Sequence, residues 1–137
     1  MTGREWLTGW ARTVAADPEN AHIGRFSVFT ARLRDDRGED VLLRYDRGAV
    51  GIDDGGPGAD LELRGPAAAW RELVDDRAAP RRHDLLALTK VADGIEVVAG
   101  REQLVRHLRV ITRLVELGRL HGRAAAHGTG ADGGTGR

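Results

Sequence analysis

The sequence predicts an α+β fold: a five-stranded, largely antiparallel sheet covered on one face by helices. Two observations carry that expectation. Four short runs of alternating apolar and polar residues follow one another between residues 25 and 64, separated by turn-forming segments. The pattern then changes to a Trp-bearing helix, a short Leu-rich helix, one more alternating run and a long amphipathic helix that ends near residue 120. Strands in series followed by helices indicate α+β, whereas regular strand–helix alternation would indicate a parallel α/β sheet.

The elements can be justified in order. Thr2 and Glu5 have capping-box spacing, and Trp6, Leu7, Trp10, Ala11 and Val14 then recur on one helical face. Asp17-Pro18 closes this helix, because proline disfavours the helical conformation of the residue before it. Glu19 to Gly24 reads as a loop. Arg25 to Arg34 reads as a strand, with Phe29, Ala31 and Leu33 on one face and Thr30, Arg32 and Arg34 on the other. The polar turn 35–40 leads into the return strand 41–45, which presents Val41, Leu43 and Tyr45 together. Asp46-Arg47-Gly48 turns into a third strand over 49–52, and the Gly-rich loop 53–58 leads to a fourth, with Leu61 and Leu63 facing inward. Short turns between consecutive strands predict an antiparallel meander.

Gly65-Pro66 opens the next helix, since proline at its first position gives up no needed amide; Trp70, Leu73 and Val74 form its apolar side. A charged loop over 75–82 follows. Asp84 is placed to cap the short helix that carries Leu85, Leu86 and Leu88. Ile95 and Val97 mark the fifth strand. Gly100 permits the turn into a helix over Arg101 to Leu120, whose stripe is Leu104, Leu108, Ile111 and Val115, widened by Val105 and Leu114. Arg101, Arg106, Arg109 and Arg113 fall on its outer side. Residues 1–121 are thus expected to form one domain, and the Gly- and Ala-rich segment 122–137 a disordered tail.

Composition narrows the function. The chain has 137 residues, 41% hydrophobic and 31% charged, as expected of one globular domain with a real core. Lys+Arg and Asp+Glu number 21 each, and this balance argues against a nucleic-acid partner, which usually demands a basic excess. The absence of cysteine excludes disulfides, thiol nucleophiles and thiolate metal sites. No apolar run reaches the ~18 residues of a membrane span, and the first residues lack a signal-peptide pattern, so a cytoplasmic location is expected. Lys90 is the only lysine among the basic residues, the mark of a GC-rich coding genome, and a bacterial source is expected.

The stretch Asp60-Leu61-Glu62-Leu63-Arg64-Gly65-Pro66, then Trp70, the charged loop, Leu85 to Lys90 and Gly94 to Gly100, resembles the sterol carrier protein type two family of lipid-binding domains. The resemblance covers about Trp6 to Leu120. It implies a five-stranded sheet covered by helices with an apolar cavity between them, and the binding of fatty acyl chains, acyl-CoAs or sterols. This chain departs from lipid-carrying members in having one Met, two Phe and a polar segment after Leu120.

The expected function is therefore binding or carrying of a small hydrophobic or amphipathic ligand, a lipid or hydrophobic metabolite, with no cofactor and no metal. Candidate lining residues are Trp6, Trp10, Phe29, Leu43, Tyr45, Trp70, Leu88, Leu104, Leu108, Ile111 and Val115. The alternative reading of the three tryptophans is plain core packing. Tyr45 either places a hydroxyl in the cavity or lies at the surface. Arg32 and Arg44 either pair with carboxylates on the solvent face of the sheet or clamp an anionic head group. His83-Asp84 and His107 form the only His/acid constellation; His83 falls at a helix start and His107 on a solvated arc beside Arg106, and no His pair has metal-ligand spacing. A small cofactor-independent enzyme would use the same cavity, with Tyr45, Arg32, Arg44 or His83 supplying a proton or charge. A third reading is an interaction domain that forms a homodimer through a sheet edge or the long helix.

Overall fold

The computed structural model describes residues 3–75, 77 and 84–135, with side chains through residue 124. The order is α1 (Arg4–Ala16), α2 (Pro18–Ile23), β1 (Val28–Arg34), β2 (Asp40–Asp46), β3 (Ala49–Asp54), β4 (Leu61–Arg64), α3 (Ala67–Leu73), α4 (Leu85–Leu88), β5 (Glu96–Ala99), α5 (Arg101–Arg106) and α6 (Leu108–Thr135). The sheet runs β3-β2-β1-β4-β5. The class is α+β, and three of the four strand pairs are antiparallel.

The fourth pair corrects the simple meander. β1 and β4 lie parallel, Ala31 opposite Leu61 and Arg34 opposite Arg64, so the Gly-rich loop carries the chain across β2 and β1 instead of closing a hairpin. Its ends are tied down. Gly55 N–H donates to the Asp40 carbonyl at 2.9 Å, and Asp60 and Thr30 exchange two bonds, Asp60 N–H to Thr30 Oγ1 at 2.9 Å and Thr30 N–H to Asp60 Oδ2 at 3.0 Å.

Alternation divides the sheet by face. Phe29, Ala31, Val41, Leu43, Tyr45, Leu61 and Leu63 are buried beneath the helices. The other face is an array of ion pairs. Arg32 donates to both carboxylate oxygens of Asp40 at 2.9 and 2.6 Å, Arg34 pairs with Glu62, Arg44 with Asp53 at 2.5 Å, and Arg64 with Glu96 at 2.8 Å. Arg32 holds the Asp40 carboxyl below the usual carboxylate range, chiefly by hydrogen bonding.

Two helical segments differ from the sequence expectation. Residues 18–23 form α2 instead of a loop. Proline occupies the first turn without losing a needed amide, and the Asp17 carboxylate accepts from Asn20 N–H at 2.8 Å. The expected helix Arg101–Leu120 is two helices. It breaks at His107, and α6 runs on to Thr135 through the Gly- and Ala-rich segment. The break shifts the helical phase, so Val105 is 65% exposed while Val110, Leu114 and Leu117 are buried. Thr2 and His83 lie outside the described residues. Among the described residues no helix is long and apolar enough to cross a membrane.

A buried polar corner joins the first helices, the sheet and α6. The fully buried Asn20 donates to the carbonyls of Val14 at 3.0 Å and Gly48 at 2.8 Å, and its Oδ1 accepts from the Tyr45 hydroxyl at 2.6 Å. Beside it Asp17 takes a two-pronged bond from Arg113 of α6, Nη2 to Oδ1 at 2.8 Å and Nε to Oδ2 at 3.0 Å. Arg113 therefore faces the molecule and not its outer side; only 19% of its side chain is exposed, against 13% for Asp17.

Two expected outcomes follow. Asn20→Ala strands one buried hydroxyl and two carbonyls, so urea unfolding should show a loss of about 2–4 kcal/mol; a loss under about 0.5 kcal/mol would contradict the corner's role. The bond from Arg113 lowers the Asp17 pKa. A depressed carboxylate contributes stability above its unfolded pKa of ~3.9 and loses it as pH falls through the folded value. Wild type should thus exceed Asp17→Asn by roughly 1–2 kcal/mol at neutral pH, and the gap should close in acid. A gap independent of pH in denaturation curves would show that the charge is not what matters.

Candidate functional site

Between helices and sheet lies a cavity of about 110 Å³. Its floor is Phe29, Ala31 and Leu33 of β1, Leu43 of β2, and Leu61 and Leu63 of β4. Its roof is Trp6, Leu7 and Trp10 of α1, Trp70 and Leu73 of α3 with the following Val74, Leu85 of α4, and Ile111, Leu114 and Val115 of α6. All are hydrocarbon or aromatic. The sheet makes such a floor because one face of every paired strand is apolar, and the helices complete it because none can bury its stripe alone.

The aromatic walls are fixed unequally. Trp10 Nε1 donates to the Leu114 carbonyl at 3.0 Å, and Trp70 Nε1 donates to the Arg34 carbonyl at 2.9 Å. Both indoles are 6% exposed, so these bonds satisfy donors that would otherwise be costly inside. Their polar atoms are spent on the backbone, and the cavity remains apolar. Trp6 is half-buried. It stacks on Trp10 at 6.3 Å between centroids with planes 11° apart, and meets the His121 ring edge-on at 5.1 Å. Trp6, Leu33, Val74 and Val115 are the partly exposed residues of the cavity lining.

Of the residues singled out from sequence, Trp6, Trp10, Phe29, Leu43, Trp70, Ile111 and Val115 are brought together around this cavity. Tyr45, Leu88, Leu104 and Leu108 are not among its walls. Leu88 and Leu104 are fully buried in the adjoining core, and Leu108 is half-buried. Tyr45 is 1% exposed, on the correct face, but its hydroxyl is committed to Asn20; burial raises its pKa, so it stays protonated. Leu7, Ala31, Leu61, Leu63, Leu73 and Leu85 also line the cavity. Their inward phase is legible in the alternation and helical spacing, but a pattern marks a buried face without marking which of its members border a void.

The polar candidates go elsewhere. Arg32 and Arg44 lie on the outer face in the ion pairs described above. His107 is a correction: it is 8% exposed, stacked on Phe29 at 4.6 Å with Nδ1 3.4 Å from Ser27 Oγ. The turn at His107 directs its ring inward. Burial, with a contribution from Arg106, lowers its pKa against an opposing effect of Asp60, so it is neutral at neutral pH. Burial lowers the pKa of His121 likewise. Among the described residues no cluster of three His, Asp or Glu side chains could hold a metal ion.

No protein-family model matches the sequence, and no curated protein matches it. Solved structures do match. A structure of sterol carrier protein 2 has a TM-score of 0.67 at 21% identity, with 85% of this chain and 95% of that one covered. A possible sterol carrier protein from Thermus thermophilus gives 0.65 at 20% identity, covering 88% and 89%. The ubiquinone synthesis protein UbiJ-SCP2 gives 0.57 at 18% identity, covering 84% and 86%. With strand order, helix order and the cavity's position already established, these likenesses show that this chain has the fold of sterol carrier protein 2.

Proposed function

We propose that this protein binds the hydrocarbon part of a small amphiphile or hydrophobic molecule in the cavity between helices and sheet, and serves as its carrier. The observation that carries this reading is the lining: a pocket at the helix–sheet boundary whose walls are almost entirely apolar, with both buried indole N–H groups already bonded to backbone. A ligand gains by removing hydrocarbon from water, about 25 cal/mol per Å² before ordering costs. A polar end finds no partner inside and stays at the rim, beside Trp6 and His121. The shared fold with proteins described as a sterol carrier and a ubiquinone synthesis protein supports the same class of cargo. An enzyme acting in this cavity has less support, since Tyr45, Arg32 and Arg44 are turned to other partners.

Calorimetric titration with straight-chain alkanoates from octanoate to hexadecanoate tests the proposal. Each added methylene should lower Kd about fourfold, equivalent to about 0.8 kcal/mol, until the space is filled and the trend flattens. Absence of saturable binding across the series, together with native mass spectra of the gently isolated protein free of lipid, would sink it. Ala31→Leu gives a second test, because it adds volume to the cavity floor. Stability should change by less than about 1 kcal/mol because the void accommodates the side chain. Binding should weaken by about tenfold or more through lost space. Unaltered alkanoate affinity in a folded Ala31→Leu variant would place the ligand elsewhere.

A further inference from the structure

The pocket is half open to solvent, and an amphiphile bound in it carries its polar end toward that opening. The polar groups placed beside the lining are committed elsewhere. Trp10 and Trp70 donate to backbone carbonyls, the Tyr45 hydroxyl donates to Asn20, and Arg119 of α6 donates through Nε to the Leu73 carbonyl at 3.4 Å. His121 of α6 differs. It is half-buried, yet neither of its ring nitrogens makes a hydrogen bond to a described residue. Both nitrogens stay reachable from outside, since among the described residues Arg34 Nε alone is a fully enclosed side-chain nitrogen or oxygen without a partner.

Apolar contacts fix the place of this imidazole. It meets the Trp6 ring edge-on at 5.1 Å between centroids, and Trp6 is a partly exposed member of the pocket lining. It also lies flush against α1, where a Cβ on Gly9 would stand 2.7 Å from Cε1 and 3.0 Å from Nε2. Trp6 and Gly9 are three residues apart on one helix face, so the ring is tightly seated beside the lining and just outside it. Burial lowers the His121 pKa, with no contribution from a charged neighbour on α1 or α6, and the ring is neutral at neutral pH. A neutral imidazole offers one donor and one acceptor. Partly desolvated polar groups without a partner are costly, and a ligand's polar end can supply what the protein does not.

We propose that His121 receives the polar end of the bound amphiphile and selects an uncharged hydrogen-bonding group, a hydroxyl above all. A chain lying in the pocket against Trp6 brings its end next to the imidazole. A hydroxyl both donates and accepts, so it matches the two ring nitrogens. A charged end meets no opposite charge on a neutral ring and gives up part of its hydration, which costs affinity. The proposal rests on the binding reading of the pocket and adds the head group to it; the test separates the two.

Titration of the full chain at neutral pH with decanol and with chlorodecane, which has the same chain and no hydroxyl, is the measurement, followed by tryptophan emission. His121→Phe keeps a ring against Trp6 and loses both nitrogens. It should weaken decanol binding about fivefold, the worth of one hydrogen bond, and leave chlorodecane binding within about twofold. His121→Gln restores a donor and an acceptor and should return decanol affinity to within about twofold of wild type. If far-UV circular dichroism shows His121→Phe to be unfolded, His121→Leu takes its place in both titrations. Decanol affinity unchanged by the loss of the imidazole, or a loss that chlorodecane shares equally, overturns the role of His121 and leaves the binding reading standing. Failure of wild type to bind either compound overturns both.

Discussion

The structure depends on a polar corner buried in an apolar molecule. Hydrophobic burial has no direction and would draw the helices down onto the sheet as far as side chains allow. What fixes their position is a set of directional bonds: Asn20 between the Val14 and Gly48 carbonyls and the Tyr45 hydroxyl, and Asp17 between Asn20 N–H and Arg113. Leaving any of these groups unpaired inside is expensive, so the contacts act together. They set α1 and α6, two walls of the cavity roof, at a defined place over β2. Trp10, bonded to the Leu114 carbonyl, joins the same two helices again within the roof.

Holding a void open has a thermodynamic consequence. The apolar side chains around a space of about 110 Å³ lack packing partners across it, and lost contacts of that kind cost stability. On the proposed function, a ligand that fills the space would restore such contacts, which would link binding to folding.

The elements of the fold are legible where one residue pattern determines one outcome. Phe29, Ala31 and Leu33 alternate, so β1 and its buried face follow; Gly65-Pro66 marks the start of α3, with Pro66 at its N-cap. The differences fall where local signals compete or are silent. Asp17-Pro18 both ends one helix and starts another, and the stop signal masks the start signal that the same two residues carry. Parallel pairing of β4 with β1 leaves no local trace, because a Gly-rich loop suits a hairpin and a crossing equally well. Arg113 and His107 read as outer residues because a break at His107 changes the phase on which a helical face is assigned. Around the site, alternation and helical spacing show which residues turn inward. Tyr45, Leu88 and Leu104 illustrate that inward residues border filled space as readily as empty space.

The parallel pairing of β1 with β4 also divides the sheet into two parts. β1, β2 and β3 are neighbours in sequence and pair through short turns, whereas β4 pairs with β5 across the intervening helices, Arg64 with Glu96 and Glu62 with Ala99. The seam between them joins residues 30 apart, Ala31 with Leu61, and it lies at the centre of the sheet. Closing it requires ordering the Gly-rich crossing loop before any of the cavity floor contributed by β4 exists. The pocket therefore depends on this seam for its full width: without it the floor keeps Phe29, Ala31, Leu33 and Leu43 and loses Leu61 and Leu63.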